Sequence, residues 1–527
     1  MADMSKQLLS SSPTPIAAAR RAFDAAPSDP AKARAVIDCL SRPPWPDDLA
    51  RLITQIATAH SRDARLLAQL VWVAREAGLA EQVETLGRAV LQLHPTDAAT
   101  RHNLATHLRE QTRTAEALAL ISAGDIGARP AESWMLQAHL EADQGNFTAA
   151  VTAYQKAIAL APDLLPAHES LARLLPQIGA ADQAMESYWS ALAAQPDNKA
   201  LWASAIGTAK ALRFGSALET LAASACDRFG AAPDLLIALA LGFAFQGQAD
   251  LAIAQLDRVV AAVPDAVAAH LHLAPLLLEV GDLERAEQSA TAATQLDPLD
   301  QSGWAWLSIL WRLSEDPREQ WLIDYERHIL LLDLRADIEA ALGSDGLAQF
   351  ADYLSACHTT TSHPLDQSAR GGTQTRGDLF ARREEPLLVF KKLLQRRVEA
   401  ALQALSPVAG HPFLGRLSDQ GIRFAGAWSI QLRESGHHAH HIHHKGWLSS
   451  AFYAALPPSV GQTGSDAGAL IFGVPEVHLP HPLAPRRILI PQPGHLALFP
   501  SYTWHGTVPF LDAPPRLTLA FDALPAS

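Results

Sequence analysis

Cysteine is scarce in this chain of 527 residues, which contains only Cys39, Cys226 and Cys357. The three are far apart, and none belongs to a Cys-x-x-Cys pair. A disulfide framework and a zinc site made of thiolates are therefore not expected, and a reducing compartment fits. The length exceeds that of a typical single domain, so several domains are expected.

Positive charge is also in deficit, because Lys and Arg total 42 against 55 Asp and Glu, a formal net charge of -13. The sequence shows no basic patch that would offset this deficit, so nucleic-acid binding is not expected. Every apolar run is interrupted well short of the ~18 residues of a membrane helix. The N-terminus MADMSKQLLSSSPTP lacks the basic start and apolar core of a signal peptide. These absences predict a cytoplasmic protein that binds no membrane.

From about residue 62 to 311 the chain contains a repeat of about 34 residues, rich in Ala and Leu. One period places its marker residues at Trp134, Gly145, Phe147, Ala150, Tyr154, Ala157 and Pro162. The next period fills the same slots with His168, Gly179, Ala181, Ala184, Tyr188, Ala191 and Pro196. The Gly ends the first helix of a pair in a left-handed cap, and the Pro closes the second helix. The small Ala residues let the two helices approach closely.

These slots resemble the consensus of the tetratricopeptide repeat (TPR), a helix-turn-helix unit. Because one unit cannot bury its apolar face alone, units stack into a solenoid whose groove commonly holds a peptide or partner protein. A scaffold with nothing in its groove is the alternative interpretation. The acidic excess of the chain favours a basic partner.

Beyond Trp311 the period ends and the composition changes. Residues 312–362 are predicted to form capping helices and a connector, and residues 1–61 an N-terminal helical segment. In residues 363–527, above all after Gly421, short strand-like runs alternate with Gly and Pro. About eight such runs without helices between them predict a sandwich or small barrel of the jelly-roll type. The expected fold class is α + β and multidomain, with an all-α TPR solenoid followed by a β domain.

The stretch SGHHAHHIHHKGWLSSAFY carries six histidines between His437 and His444. One interpretation is a solvated tract that binds metals loosely. The other follows from strand geometry: residues two apart point the same way, so His441 and His443 can present their imidazoles on one face. A further histidine, His505, opens another strand-like run in FPSYTWHGTVP.

The run RLTLAFDA opens on Arg516 and alternates in the same manner. Arg516 and the residues two and four positions later are expected on one face, opposite the packing face of Leu517, Leu519 and Phe521. A His-x-His pair, a distal His and then an Arg, all on short strands, resembles the double-stranded β-helix of Fe(II)- and 2-oxoglutarate-dependent oxygenases. The pattern is similar to a bacterial, prolyl-hydroxylase-like subgroup that carries TPR arms.

The stretches that carry this resemblance cover most of residues 363 to 522. They are HPLDQSARGGTQTRGDLF, RFAGAWSIQLRESG, HIHHKGWLSSAFYAALPP, GALIFG, PQPGHLALFPSYTWHGTVPF and RLTLAFD. A lone His-x-His pair occurs by chance, whereas further segments in the right order make the resemblance specific.

The resemblance implies that His441 and His505 bind iron and that Arg516 pairs with the C5 carboxylate of 2-oxoglutarate. An Arg fork suits that carboxylate because it offers two parallel N–H donors and stays charged. The sequence departs from the superfamily at His443, where most members have Asp or Glu. His443 is predicted to be the third ligand, and a two-His site completed by water is the alternative. Iron is favoured over zinc because the oxygenase needs open positions for the keto acid and O2.

Other polar residues are weaker candidates for the site. Tyr453 and Ser449 are predicted to hydrogen-bond the co-substrate, as are Ser429 and Gln431, although all four also fit ordinary positions of a barrel. The remaining histidines are not predicted to bind the metal: His437, His438 and His440 are expected in a loop, with His444 and His495 also outside the ligand set. The segment RGGTQTR, with Arg370, Thr373, Gln374 and Arg376, is predicted to be a basic loop that lines the substrate mouth or a surface turn.

The resemblance implies a 2-oxoglutarate-dependent dioxygenase that uses Fe(II), O2 and, in assays, ascorbate. It would hydroxylate an amino-acid side chain, on a peptide or protein bound with the help of the TPR arm. One alternative is a TPR adaptor whose barrel binds metal without catalysis, although retention of Arg516 argues against it. Another is a cupin-like three-His oxygenase that needs no 2-oxoglutarate and would leave Arg516 without a role.

Overall fold

The computed structural model describes residues 15–111, 113–124, 129–358, 368–375, 377–477, 479, 481–511 and 514–526. The chain forms two compact units, which divide between Leu201 and Trp202. The described part of the first unit consists of helices, whereas the second combines further helices with every described strand. None of the helices in these ranges is long and apolar enough to cross a membrane.

The first unit is a series of consecutive antiparallel helices. Their bounds are α1 (Pro15–Ala25), α2 (Pro30–Cys39), α3 (Leu49–Ala59), α4 (Ala64–Glu76), α5 (Ala80–Leu93), α6 (Ala98–Glu110), α7 (Thr114–Ser122), α8 (Ala131–Asp143), α9 (Phe147–Leu160), α10 (Leu165–Gln177) and α11 (Glu186–Ala194). Asp29, Asp63 and Asp97 cap α2, α4 and α6 by accepting hydrogen bonds from amides of the first helical turn. These caps lie one repeat length apart, so the periodicity continues upstream of residue 62.

The second unit begins with the last repeats. Their helices are α12 (Lys199–Ala211), whose first residues precede the division, α13 (Gly215–Phe229), α14 (Pro233–Phe245), α15 (Ala249–Ala262), α16 (Val267–Glu279), α17 (Leu283–Leu296) and α18 (Gln301–Leu313). The turns after α8, α10, α12, α14, α16 and α18 are left-handed. Gly145, Gly179, Gly247 and Gly281 have φ values of 81°, 79°, 75° and 84° in these turns. Arg213 and Glu315 occupy the same slot with φ values of 56° and 52°, although neither is glycine.

The segment after α18, predicted to form capping helices and a connector, also contains a strand. It contains α19 (Arg318–Leu322), β1 (Leu330–Asp333), α20 (Arg335–Leu342) and α21 (Gly346–Ala356). The leucine run of β1 is too short for a helix, and Asp333 ends it by accepting the amide hydrogen of Arg335 at the start of α20. β1 pairs with a strand far downstream, so the connector contributes an edge strand to the β domain.

The β domain consists of two antiparallel sheets. Its elements are β2 (Ala369–Gln374), α22 (Glu385–Gln403), β3 (Ile422–His438), β4 (Leu448–Ala455), β5 (Leu470–Phe472), β6 (Arg487–Leu489), β7 (His495–Pro500), β8 (His505–Thr507) and β9 (Arg516–Pro525). The larger sheet has the order β1-β7-β4-β9-β3-β2, and the smaller sheet has the order β6-β5-β8. The predicted fold class, a helical repeat array followed by a β domain, is confirmed.

Two local predictions of the sequence analysis are wrong. Most of RGGTQTR is not a loop, because β2 pairs with β3 through a register shift between Arg370 and Gly372. Gly372 permits this close pairing, since a Cβ there would lie 2.4 Å from the carbonyl oxygen of Gln431. Conversely, HHIHH forms no regular strand; only one isolated bridge joins His441 to His505. Arg376 lies outside the described residues.

The two faces of the larger sheet have different environments. On one face, α21 and α22 pack through Phe350, Phe390 and Phe452, with ring centroids 4.2 Å and 4.7 Å apart in successive pairs. On the other face, Arg516 and Thr518 of β9 line a cavity. The alternation predicted for β9 is therefore observed, and it turns the polar side chains towards the cavity.

Candidate metal centre

Backbone pairing brings His441 and His505 together. The amide of His441 donates to the carbonyl of His505 at 2.9 Å, and the reciprocal bond measures 3.1 Å. The amide of His443 donates to the carbonyl of Ser501 at 3.0 Å, just before β8. The histidine-rich segment is thus held alongside the start of β8, so the distal histidine comes beside the His-x-His pair.

The three imidazoles converge at one point. One nitrogen from each of His441, His443 and His505 lies within 4.8 Å of the others, and Nε2 of His441 is 3.3 Å from Nε2 of His443. A metal that binds imidazole nitrogens at ~2 Å needs donors at about this separation. The residues therefore fit a single metal ion.

Hydrogen bonds at the opposite ring nitrogens orient all three histidines. Nδ1 of His441 lies 2.8 Å from the carbonyl oxygen of Ala439, and Nδ1 of His505 lies 2.9 Å from that of Thr503. A carbonyl can only accept, so each of these Nδ1 atoms carries the hydrogen and each Nε2 presents a lone pair. Lone pairs that face one another without a proton are mutually repulsive, and a bound cation removes that repulsion.

The third histidine is oriented by a carboxylate. Nδ1 of His443 donates to Oδ1 of Asp522 across 2.6 Å, and the hydroxyl of Ser449 donates to the same oxygen at 2.7 Å. Histidines that bind metals usually donate their other N–H to a carboxylate or carbonyl, which fixes the tautomer and makes the ring more basic. Asp522 was missed in the sequence analysis, although it continues the alternation of β9 that begins at Arg516.

Burial keeps the imidazoles of His441 and His505 neutral. It lowers the pKa of His441 to about 3 and that of His505 well below its ordinary range. Neighbouring histidines lower both pKa values further, because a second positive charge nearby is unfavourable. These two rings are thus in the neutral form that metals bind.

Arg516 is buried on the same sheet face, with 2% of its surface exposed. Its Nε and Nη1 atoms have no hydrogen-bond partner among the described residues, and its guanidinium lies 5.2 Å from the centre of the Tyr453 ring. Burial lowers the pKa of Arg516 and raises that of the Tyr453 hydroxyl. Buried donors of a charged group normally have partners, so these donors fit an anionic ligand such as a carboxylate.

The other predicted contacts take different positions. Ser449 is fully buried, and its hydroxyl lies 2.8 Å from that of Ser501. Its contact with Asp522 therefore supports that carboxylate rather than a co-substrate. Ser429 and Gln431 point to the opposite face of β3. There Ser429 lies 3.0 Å from Nε2 of His358, and Gln431 donates to Ser355 of α21.

The remaining histidines do not join the three imidazoles. His437 and His438 belong to the end of β3 rather than to a loop, which corrects the prediction. Nδ1 of His438 lies 3.0 Å from the hydroxyl of Ser368, which is also 3.2 Å from Nε2 of His441. His440 does lie in a loop, His444 is exposed, and His495 is on β7, paired with β1.

The three histidines and Arg516 line one cavity of about 1050 Å³. Residues of β3 and β9 form much of its wall on the side of the larger sheet. Residues of the last repeats also line it, among them Lys210, Arg213 and Phe245. A cavity of this size lies at the upper end of the roughly 300–1,000 Å³ of ordinary small-molecule sites.

Comparison with known families gives two matches. Residues 426–522 match the family model described as "Putative 2OG-Fe(II) oxygenase", and residues 131–164 match the model described as "Tetratricopeptide repeat". The first match contains every residue of the histidine cluster together with Asp522 and Arg516. A search of curated proteins finds no match.

Among solved structures, a TPR protein from Parabacteroides merdae is 17% identical, with 47% of this chain and 98% of that protein covered and a TM-score of 0.30. MamA from Desulfovibrio magneticus RS-1 is 17% identical over 35% of this chain and 98% of its own, with a TM-score of 0.27. YrrB, described as a TPR protein with an unusual peptide-binding site, is 13% identical over 41% and 95%, with a TM-score of 0.25. These scores are too low to support an argument. The family models confirm the resemblance: the chain joins TPR helices to a segment that matches the putative 2OG-Fe(II) oxygenase model.

Proposed function

We propose that this protein is an Fe(II)- and 2-oxoglutarate-dependent dioxygenase that hydroxylates an amino-acid side chain of a peptide or protein. One observation carries the proposal: three converging imidazoles and a buried arginine with unpartnered donors line the same cavity. The metal ligands and the anion-binding group are the two parts that this chemistry requires.

His441, His443 and His505 would hold the iron. Three protein ligands leave coordination positions open for a keto acid and O2, which is the arrangement of non-haem iron oxygenases. When bound, iron and 2-oxoglutarate supply the oxidation of a C–H bond, coupled to decarboxylation of the keto acid to succinate and CO2. The chain itself orients the ligands, through Asp522 behind His443 and the carbonyls behind His441 and His505.

Arg516 would bind the distal carboxylate of 2-oxoglutarate. Its fixed fork of donors matches a carboxylate in two-point contact, and burial excludes competing water. Tyr453 limits the space beside the guanidinium and offers a buried hydroxyl without a hydrogen-bond partner among the described residues. A dicarboxylate that reaches from the histidines to Arg516 would satisfy both groups.

The two sheets fit the double-stranded β-helix implied by the sequence resemblance. We assign the oxygenase domain to residues 363–527 together with β1, which completes the edge of the larger sheet. The repeats would supply the peptide or protein substrate, since TPR arrays commonly hold extended chains.

Conversion of 2-oxoglutarate to succinate tests the proposal. With Fe(II), ascorbate and O2, the purified protein should form succinate above a metal-free control. Arg516→Ala should keep its metal but need about ten to one hundred times more 2-oxoglutarate, because a charge-assisted contact contributes ~1.5–3 kcal/mol. Arg516→Lys should recover this only in part, since a point charge cannot reproduce the fork.

The matched control is Arg423→Ala, at an exposed arginine of β3 outside the cavity. It should titrate with 2-oxoglutarate like the unmodified protein. Absence of succinate from protein with bound iron would exclude the proposed activity. If Arg516→Ala also titrates normally, the assignment of the co-substrate site is wrong.

A further inference from the structure

Part of the lining of the cavity that holds the histidines comes from the TPR helices. Lys210 lies at the end of α12, Arg213 in the following turn, Phe245 at the end of α14 and His272 on α16. All belong to the same compact unit as the β domain. The repeats therefore supply side chains to the reaction cavity itself.

This cavity has the opposite charge balance to the whole chain. Its lining includes the cations Lys210, Arg213, Arg370, Lys445 and Arg516, but only the carboxylates Glu476 and Asp522. Asp522 is already engaged by His443 and Ser449. In a chain with a net charge of -13, a cation-lined cleft is a local feature that attracts anions.

Lys210 and Arg213 are exposed, and neither has an ion-pair partner among the described residues. Arg213 keeps a left-handed backbone where the neighbouring repeats have glycine, a conformation that is costly for a side chain. Its guanidinium lies 4.5 Å from the centre of the Phe245 ring, and this cation–π contact orients the guanidinium. His272 adds no charge at neutral pH, because burial and the nearby Lys210 lower its pKa to about 4.

We propose that Lys210 and Arg213 form an anion-recognition wall and that the substrate is an acidic peptide. In this arrangement a Glu or Asp of the peptide contacts the wall, while a neighbouring residue faces the histidines. This deepens the proposed function and rests on it. A peptide is favoured over a small anion because the cavity lies at the upper end of the size range of small-molecule sites and part of its lining comes from repeats of a peptide-binding type.

The test measures binding to the full-length, metal-free chain, so it does not depend on oxygenase activity. Fluorescence anisotropy would compare a labelled Glu-rich peptide with matched peptides that carry Gln or Lys at the same positions. The Glu-rich peptide should bind most tightly, and salt should weaken its binding. Lys210→Glu combined with Arg213→Glu should reduce that affinity about tenfold or more. Equal binding of the three peptides would overturn the proposal.

Two further variants separate recognition from general effects. Arg228→Glu with Arg258→Glu makes the same change of charge on α13 and α15, away from the cavity, and should leave peptide binding intact. Arg213→Gly removes the charge while giving the left-handed turn its favoured residue, so weaker binding cannot be attributed to unfolding. Equal losses in the remote pair and the wall variants would contradict recognition by this wall.

Free 2-oxoglutarate distinguishes a peptide carboxylate from a small dicarboxylate. An excess should leave most of the Glu-rich peptide bound, because the two ligands use different cations. Complete displacement would place the peptide at Arg516 and refute the separate wall. Peptide discrimination without any succinate formation would instead count against the oxygenase activity alone.

Discussion

At the scale of single residues, His443 stands where most members of the superfamily have a carboxylate ligand, and a carboxylate lies directly behind it instead. The negative charge absent from the ligand set is supplied by Asp522, which accepts the Nδ1 hydrogen of His443 at 2.6 Å. A ring that donates to a carboxylate is a more basic ligand than an isolated imidazole. In the proposed site, a carboxylate would thus lie near the metal without being a ligand.

Asp522→Asn should weaken metal binding without loss of the fold. An amide holds the ring less strongly than a carboxylate, and loss of such a partner typically costs 10–100-fold in metal affinity, so we expect a reduction of about that size. Titration with Co(II), followed by its visible absorption, would measure the change. Asp466→Asn, at an exposed carboxylate of the same domain, is the control. Equal affinities in the two variants would show that Asp522 does not support the site.

At the scale of secondary-structure elements, the turn between the two helices of a repeat contains one residue with a left-handed backbone in the repeats from α8 to α18. Glycine adopts this conformation freely, whereas other residues meet steric resistance from Cβ. Glu315 has φ 52° in this slot and is exposed, whereas Gly281 has φ 84° in the preceding repeat, with no atom near the position of a Cβ. Substitutions at these two turns therefore isolate the backbone effect.

Glu315→Gly should raise the free energy of unfolding by ~1 kcal/mol, and Gly281→Ala should lower it by a similar amount. Urea denaturation followed by helical circular dichroism would detect both changes. Glu315→Ala is the control, because alanine retains the Cβ and should bring no comparable gain. A gain as large with alanine as with glycine would mean that the side chain of Glu315, not its backbone, is unfavourable.

At the scale of the whole molecule, the last repeat helix supports the metal site. The amide of Gln301, the first residue of α18, donates to the carbonyl of His444 at 2.9 Å. The indole of Trp504, next to His505, donates to the carbonyl of Ala305 at 3.1 Å. α18 thus holds both segments that carry the histidines, so this repeat is part of the site's framework.

Gln301→Pro should weaken metal binding about fivefold, since one hydrogen bond contributes ~1 kcal/mol. Proline is favoured at the first position of a helix, and Asp300 before it has an extended backbone, so α18 should remain intact. Gln301→Ala keeps the amide hydrogen and serves as the control. The Co(II) titration should separate the two variants, with unchanged helical circular dichroism. Identical affinities would show that this contact does not hold the histidine segment.

The sequence by itself determined the repeats, the β domain and the residues of the predicted metal site. The periodicity of the TPR slots and the two-residue spacing of His441 and His443 are local signals, which survive because each element imposes its own period on the chain. The tertiary structure decided which distant residues meet. Three contacts depend on strands and helices far apart in the chain: the pairing of β1 with β7, the position of Asp522 behind His443, and the presence of Lys210 in the cavity of the histidines. No local period records such contacts, because they arise only when separate elements pack together.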